Sequence, residues 1–174
     1  MPAKSSVKDV FANRAFKTLT MSAIDTLTFD QIQFGVGIFQ GIAMIVNRVE
    51  WFPTPGTIQQ LVANTDALYM AITNRDDLSD LNPTNQSVLI LKTLHPVIVG
   101  AVVSELIKEL PIVSDFSSLP GGGLIIPANP IHVGAMMSGG TAAGVVRVIM
   151  YFEFKTLSDA EYIELLQTIM PANI

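Results

Sequence analysis

A chain of 174 residues is about one domain long and can bury a core without metals or disulfides. Its apolar fraction of 49% lies at the top of the globular range while only 14% of residues are charged, against the roughly 25% usual in soluble domains, so excess apolar surface has to be covered. There is no cysteine, which excludes disulfide scaffolds, thiolate metal sites, Fe–S clusters and cysteine nucleophiles together.

Residues 1–14 show neither periodicity nor caps and read as a flexible basic arm, without the charged-then-apolar order of a signal peptide. Lys4, Lys8, Arg14 and Lys17 against Asp9 give residues 1–17 a charge of +3, so the rest of the chain sums to −8 within the total of −5. An acidic body disfavours unspecific nucleic-acid binding, and these cations neutralise only a few phosphates. Lys4, Lys8, Arg14 and Lys17 are therefore candidates for weak nucleic-acid contacts and nothing stronger.

Leu19, Met21, Ala23, Leu27 and Phe29 alternate with Thr18, Thr20, Ser22, Thr26 and Thr28, which predicts one half-buried strand with Asp25 as the exception. Gly35 and Gly37 precede a second strand, Ile38 to Val49, with Gly41 as a candidate bulge. Trp51-Phe52-Pro53-Thr54-Pro55-Gly56 ends it, since proline cannot donate to a ladder. Thr57 to Ala63 predicts a turn or two of helix, Ala67 to Thr73 a short strand, and Asn74 to Gln86 a polar loop. Val88 to Thr93 is a β-branched and leucine-rich run that His95-Pro96 interrupts, Val97 to Val103 reads as a strand, and Glu105 to Leu110 turns helical before Pro111.

Phe116 to Val146 is the longest stretch without a charge, but Pro120, Pro127, Pro130 and its glycines exclude a membrane-spanning helix. The expectation is a soluble, unexported chain whose partner is protein. The same stretch is punctuated into short extended segments by Gly121-Gly122-Gly123. A final strand puts Val146, Val148, Met150, Phe152 and Phe154 on a core face and Arg147, Tyr151, Glu153 and Lys155 on the other. Ser158-Asp159-Ala160-Glu161 is a capping box opening a helix with a Tyr162, Leu165, Leu166 and Ile169 stripe, stopped by Pro171. Many extended segments without regular strand–helix alternation predict an all-β, antiparallel two-sheet sandwich with a short C-terminal α-helix.

Chemistry is sparse. His95 and His132 stand in no ligand spacing and read as ordinary packed or surface histidines. The Gly121–Gly123 run lacks the following Lys-Ser/Thr of a phosphate loop and reads as a turn. Asp76, Asp77 and Asp80 lack the spacing of a calcium loop and read as a solvated loop, with adventitious divalent binding as the alternative. Trp51-Phe52 and Met136-Met137 place apolar residues side by side, which fits either a strand covered on both faces or a subunit contact. No catalytic residue, cofactor or metal ligand is expected.

Gly123-Leu124-Ile125-Ile126-Pro127 through Ile131-His132-Val133-Gly134, then Thr141-Ala142-Ala143-Gly144 into Val145 to Lys155, looks like a terminal hairpin of paired late strands. Together with the basic arm, the Thr-rich strand and the closing amphipathic helix, it resembles the single jelly-roll coat proteins of small icosahedral viruses. The resemblance implies a jelly-roll sandwich over residues 15–157, an amphipathic helix and tail over 158–174, and self-assembly into an icosahedral shell that encloses a genome in the virion. It implies copies of the chain as partners, with Trp51, Phe52, Met136, Met137, Leu165 and Leu166 as candidate subunit contacts. A non-viral, homo-oligomeric β-sandwich binding module, such as a lectin-like or cytokine-like head, fits the same residues, and an enzyme ranks third.

Overall fold

Extended segments with one apolar face must pair edge to edge and bury that face against a second layer. A computed structural model describes residues 13–34, 41–99, 102–105, 110–127 and 130–169. In chain order they form β1 (Asn13–Thr20), β2 (Thr28–Ile32), β3 (Ile42–Pro53), the short helix α1 (Pro55–Gln59), β4 (Ala67–Thr73), β5 (Val88–Leu94), β6 (Val97–Val99), β7 (Val102–Glu105), β8 (Ile112–Asp115), β9 (Leu124–Pro127), β10 (Ile131–Ser138), β11 (Val145–Thr156) and α2 (Asp159–Ile169).

The strands build two antiparallel sheets, one ordered β1-β11-β3-β8 with β9 also on β3, the other β2-β10-β4-β5, while β6 and β7 form a hairpin of their own. The pairing is nested: β1 takes β11, β2 takes β10, β3 takes β8 and β9, and β4 takes β5. Trp51, Met44, Val46, Leu68, Met70 and Met150 are wholly buried in one core.

The alternation from Thr18 to Phe29 does not make a single strand. It divides into β1 and β2, which belong to different sheets. Asp25, the residue that broke the pattern, takes a left-handed φ of 54° in the connecting turn. Its N–H donates to the Met137 carbonyl at 2.7 Å and its carboxylate accepts the Gly139 N–H at 3.0 Å. The phase changes at the break: Leu19 and Met21 point into the core from odd positions, whereas Ile32 does so from an even one and Phe29 pairs with Gly134 on the face away from the core.

Gly41 lies just outside β3 with φ 60°, so it is not the bulge. The register shifts at Asn47, between the Arg48–Tyr151 and Val46–Phe152 pairs. Residues 38–40 of the expected strand lie outside the described residues. Trp51, Phe52 and Pro53 continue β3 instead of ending it; Pro53 is tolerated at the last position, where the ladder stops. The run 97–103 divides into β6 and β7, and the helix expected from Glu105 to Leu110 falls mostly on residues outside the described set. The capping box of α2 closes as its residues dictate: the Ser158 N–H donates to Glu161 Oε2 at 2.9 Å and the Glu161 N–H to Ser158 Oγ at 3.4 Å.

Two side chains tie α1 and its exit to the hairpin between β10 and β11. Thr57, 1% exposed, imitates a strand residue: its hydroxyl accepts the Val145 N–H at 2.7 Å and donates to the Val145 carbonyl at 3.0 Å. Asp66, 4% exposed, accepts N–H bonds from Val62 at 2.7 Å and Ala63 at 2.8 Å. Burial acts to raise the Asp66 pKa, but the N–H groups of Ala63, Val62 and Gly140 prevail and hold it below the ordinary carboxylate value. Gly139 must be glycine here, since its φ is 70° and a Cβ would run into the Asp66 carboxylate.

Asp66→Ala strips a charged acceptor from buried donors and is expected to cost about 2–3 kcal/mol in urea unfolding at pH 7. Because the folded pKa is depressed, the difference from wild type persists above about pH 4, the unfolded value, and shrinks as pH falls below it. An unchanged midpoint at pH 7 would show that water replaces the carboxylate.

Candidate functional site

The structure divides each suspected contact pair, because neighbours on a strand point to opposite faces. Trp51 and Met137 are wholly buried in the chain's own core, with Trp51 Nε1 donating to Ser114 Oγ at 3.2 Å, and they are not available to a second subunit. Phe52 and Met136 point outward and are half-buried. In α2, Tyr162 is buried and Leu165 half-buried, while the Leu166 and Ile169 side chains lie outside the described residues.

Lys4 and Lys8 also lie outside them. Arg14 does not belong to an arm, since β1 begins at Asn13 and Arg14 pairs in register with Tyr151. Lys17 is not a free cation for nucleic acid, because its Nζ sits 2.7 Å from Asp30 Oδ2.

That ion pair joins β1 to β2, the strands at the outer edges of the two sheets. Between these edges runs a cleft of about 860 Å³. Asn13, Arg14, Gln31 and Gln33 give it polar walls, and Phe16, Phe34, Phe152 and Phe154 give it aromatic ones. Phe34, Phe152 and Phe154 meet edge to face, with centroids 5.1 to 6.2 Å apart. Phe154 was expected in the core, yet it is 41% exposed. Alternation sets which way it points, but it lies against the cleft, where the layers do not close over it. Phe16, 58% exposed, interrupts an otherwise polar outer face of Arg14, Thr18 and Thr20. That break in the pattern is the one local signal of the cleft, whose walls on β2 and β11 come from other segments.

His132 is only 7% exposed, which makes it a packed histidine. Its Nδ1 is buried without a partner, and Nε2 lies 3.9 Å from Asp76 Oδ2. Burial lowers its pKa, while the Asp76 and Asp30 charges act the other way without prevailing. His95 meets Tyr69 edge to face at 6.5 Å. Asp77 is clamped by Arg75 through bonds of 2.7 and 2.6 Å and is not directed at Asp76 or Asp80. Among the described residues no group of three or more His, Asp or Glu side chains could hold a metal. Gly121 and Gly122 form a turn with φ of 90° and 82°. No helix of the described residues is long and apolar enough to cross a membrane.

Comparison with known proteins finds no matching family, and no curated protein matches the chain.

A lowered folded pKa means that the native state binds fewer protons at His132 than the unfolded chain. Stability is expected to fall as pH drops below about 6.5, with a slope of at most about 1.4 kcal/mol per pH unit from this group. His132→Gln should flatten urea-unfolding stability between pH 7 and pH 5. Parallel profiles for the two proteins would mean that His132 titrates alike in both states.

Proposed function

We propose that this chain is a non-enzymatic jelly-roll shell protein that assembles with copies of itself into a closed icosahedral particle around a genome, its place being the capsid of a virion. The observation that carries the reading is the nested pairing. A long antiparallel hairpin of strand pairs, first with last and second with next to last, rolls into two facing sheets of alternate pairs, which is the jelly-roll winding. The orders β1-β11-β3-β8 and β2-β10-β4-β5 agree with that winding.

Assembly is supported by composition and by what remains outside. A chain with 14% charged residues exposes Phe16, Val113 and Phe154 as well as Ile163 on α2. Contact with packaged nucleic acid rests on the segment bearing Lys4 and Lys8 and is weak on charge alone, since Lys17 is already paired. The second reading, a homo-oligomeric binding module of the lectin-like or cytokine-like kind, is favoured by the cleft and its amide and phenyl walls.

Light scattering on a sizing column together with negative-stain microscopy separates the two. Particles far larger than the 18.8 kDa chain are the expected result. A discrete trimer whose melting temperature rises with a glycan supports the second reading, and a monodisperse monomer at micromolar concentration overturns both.

A further inference from the structure

Edge strands present a row of unpaired N–H and C=O groups, and proteins usually blunt them with proline, bulges or short length. Among the described residues the sheet edges are β1, β2, β5, β8 and β9, besides the three- and four-residue strands of the β6–β7 hairpin. β2, β8 and β9 have five, four and four residues, and the β4–β5 ladder shifts register between Ile72 and Thr73. β1 differs from all of them. Its eight residues contain no proline or glycine and pair with β11 without a shift, leaving the opposite edge straight and, among the described residues, unpaired.

We propose that β1 is the pairing edge for β1 of a second copy, antiparallel about a twofold axis at Phe16, so that the β1-β11-β3-β8 sheets of two copies join into one. The proposal rests on the self-association reading and names the surface that carries it. Side chains select the register. Antiparallel pairing about Phe16 sets Arg14 opposite Thr18, Ala15 opposite Lys17 and Asn13 opposite Leu19 of the other copy, so no like charges face each other. Centring on Lys17 would oppose two lysines, and centring on Ala15 would leave only residues 13–17 to pair.

The usual edge guard is also disarmed, because Lys17 leans inward to Asp30 at 2.7 Å. On the outer face, Phe16 continues a row in register with Ile149, Glu50 and Val113. A twofold at Phe16 sets the two exposed phenyl rings side by side at the centre of the seam, covering the most exposed large apolar side chain among the described residues.

Because the chain has no cysteine, single cysteines read the register directly. Directly opposed residues have Cα atoms about 4.5–5.5 Å apart, within disulfide reach, whereas Arg14 and its copy would stand about 14 Å apart. Under oxidised glutathione, Phe16→Cys is expected to form a covalent dimer in near-complete yield, Arg14→Cys alone none, and Arg14→Cys mixed with Thr18→Cys a heterodimer. Phe16→Glu should lose this dimer in light scattering while its far-ultraviolet circular dichroism stays that of wild type. If wild type associates but Phe16→Cys does not cross-link, or Arg14→Cys cross-links equally well, the β1 seam is wrong and the assembly reading stands. If wild type is monomeric, the assembly reading fails and the seam with it.

Discussion

The ladder between β3 and β11 is the constraint on which the other pairings depend. Twelve-residue strands meet along their length, from Ile42 opposite Thr156 to Pro53 opposite Val146. Among the described residues β1 is held by β11, and β8 and β9 by β3, so loss of this ladder would split the sheet into two parts. The strands it joins lie about 100 residues apart, as the contact of Tyr151 Oη with Glu50 Oε2, across 101 positions, makes plain. Such pairing requires closure of a long loop before any contact compensates the lost entropy, which makes it a late and slow step of folding. The bulge at Asn47 gives the long strand a local bend, and its side chain is used there: Asn47 Nδ2 donates to the Gly122 carbonyl at 2.7 Å, fixing the turn that leads into β9.

Where one strand carried a clean pattern and met its partner without interruption, the sequence was readable. β4 lies on Ala67–Thr73 as expected, β11 extends the expected Val146–Lys155 by a residue at each end, and the α2 capping box closes as written. The all-β sandwich of two antiparallel sheets followed from the same periodicity. The division at Ser22–Leu27 was hidden because the apolar residues on either side of it share odd positions in the sequence, although Leu19 faces the core and Phe29 faces away from it. Only Asp25 and its left-handed backbone mark the crossing.

Site residues were harder to read for a related reason. Thr57 and His132 owe their roles to backbone or side chains brought up from elsewhere: Val145 lies 88 positions from Thr57, and His132 faces a loop residue, Asp76. No local spacing encodes such pairs. Trp51-Phe52 and Met136-Met137 were ambiguous because adjacency alone does not say whether one face or both is covered; the register assigns Trp51 and Met137 inward and Phe52 and Met136 outward.

The apolar excess that first suggested a partner is partly absorbed within the chain. β4 and β10 are buried almost continuously, as strands covered on both faces must be, and small residues make this possible. Ala71 is wholly buried on the face away from the core, and Gly134 lets the Phe29 ring lie where a Cβ would collide with it. Internal cover of this kind reaches the middle of the β2-β10-β4-β5 sheet but stops short of β1, whose outer face ends in an exposed phenyl ring. The same chain thus covers the middle of one sheet on both faces and leaves the other sheet's longest straight edge unpaired among the described residues. A hydrophobic side chain standing on an unblunted edge combines both driving forces for strand addition, main-chain hydrogen bonding and apolar burial, at one place.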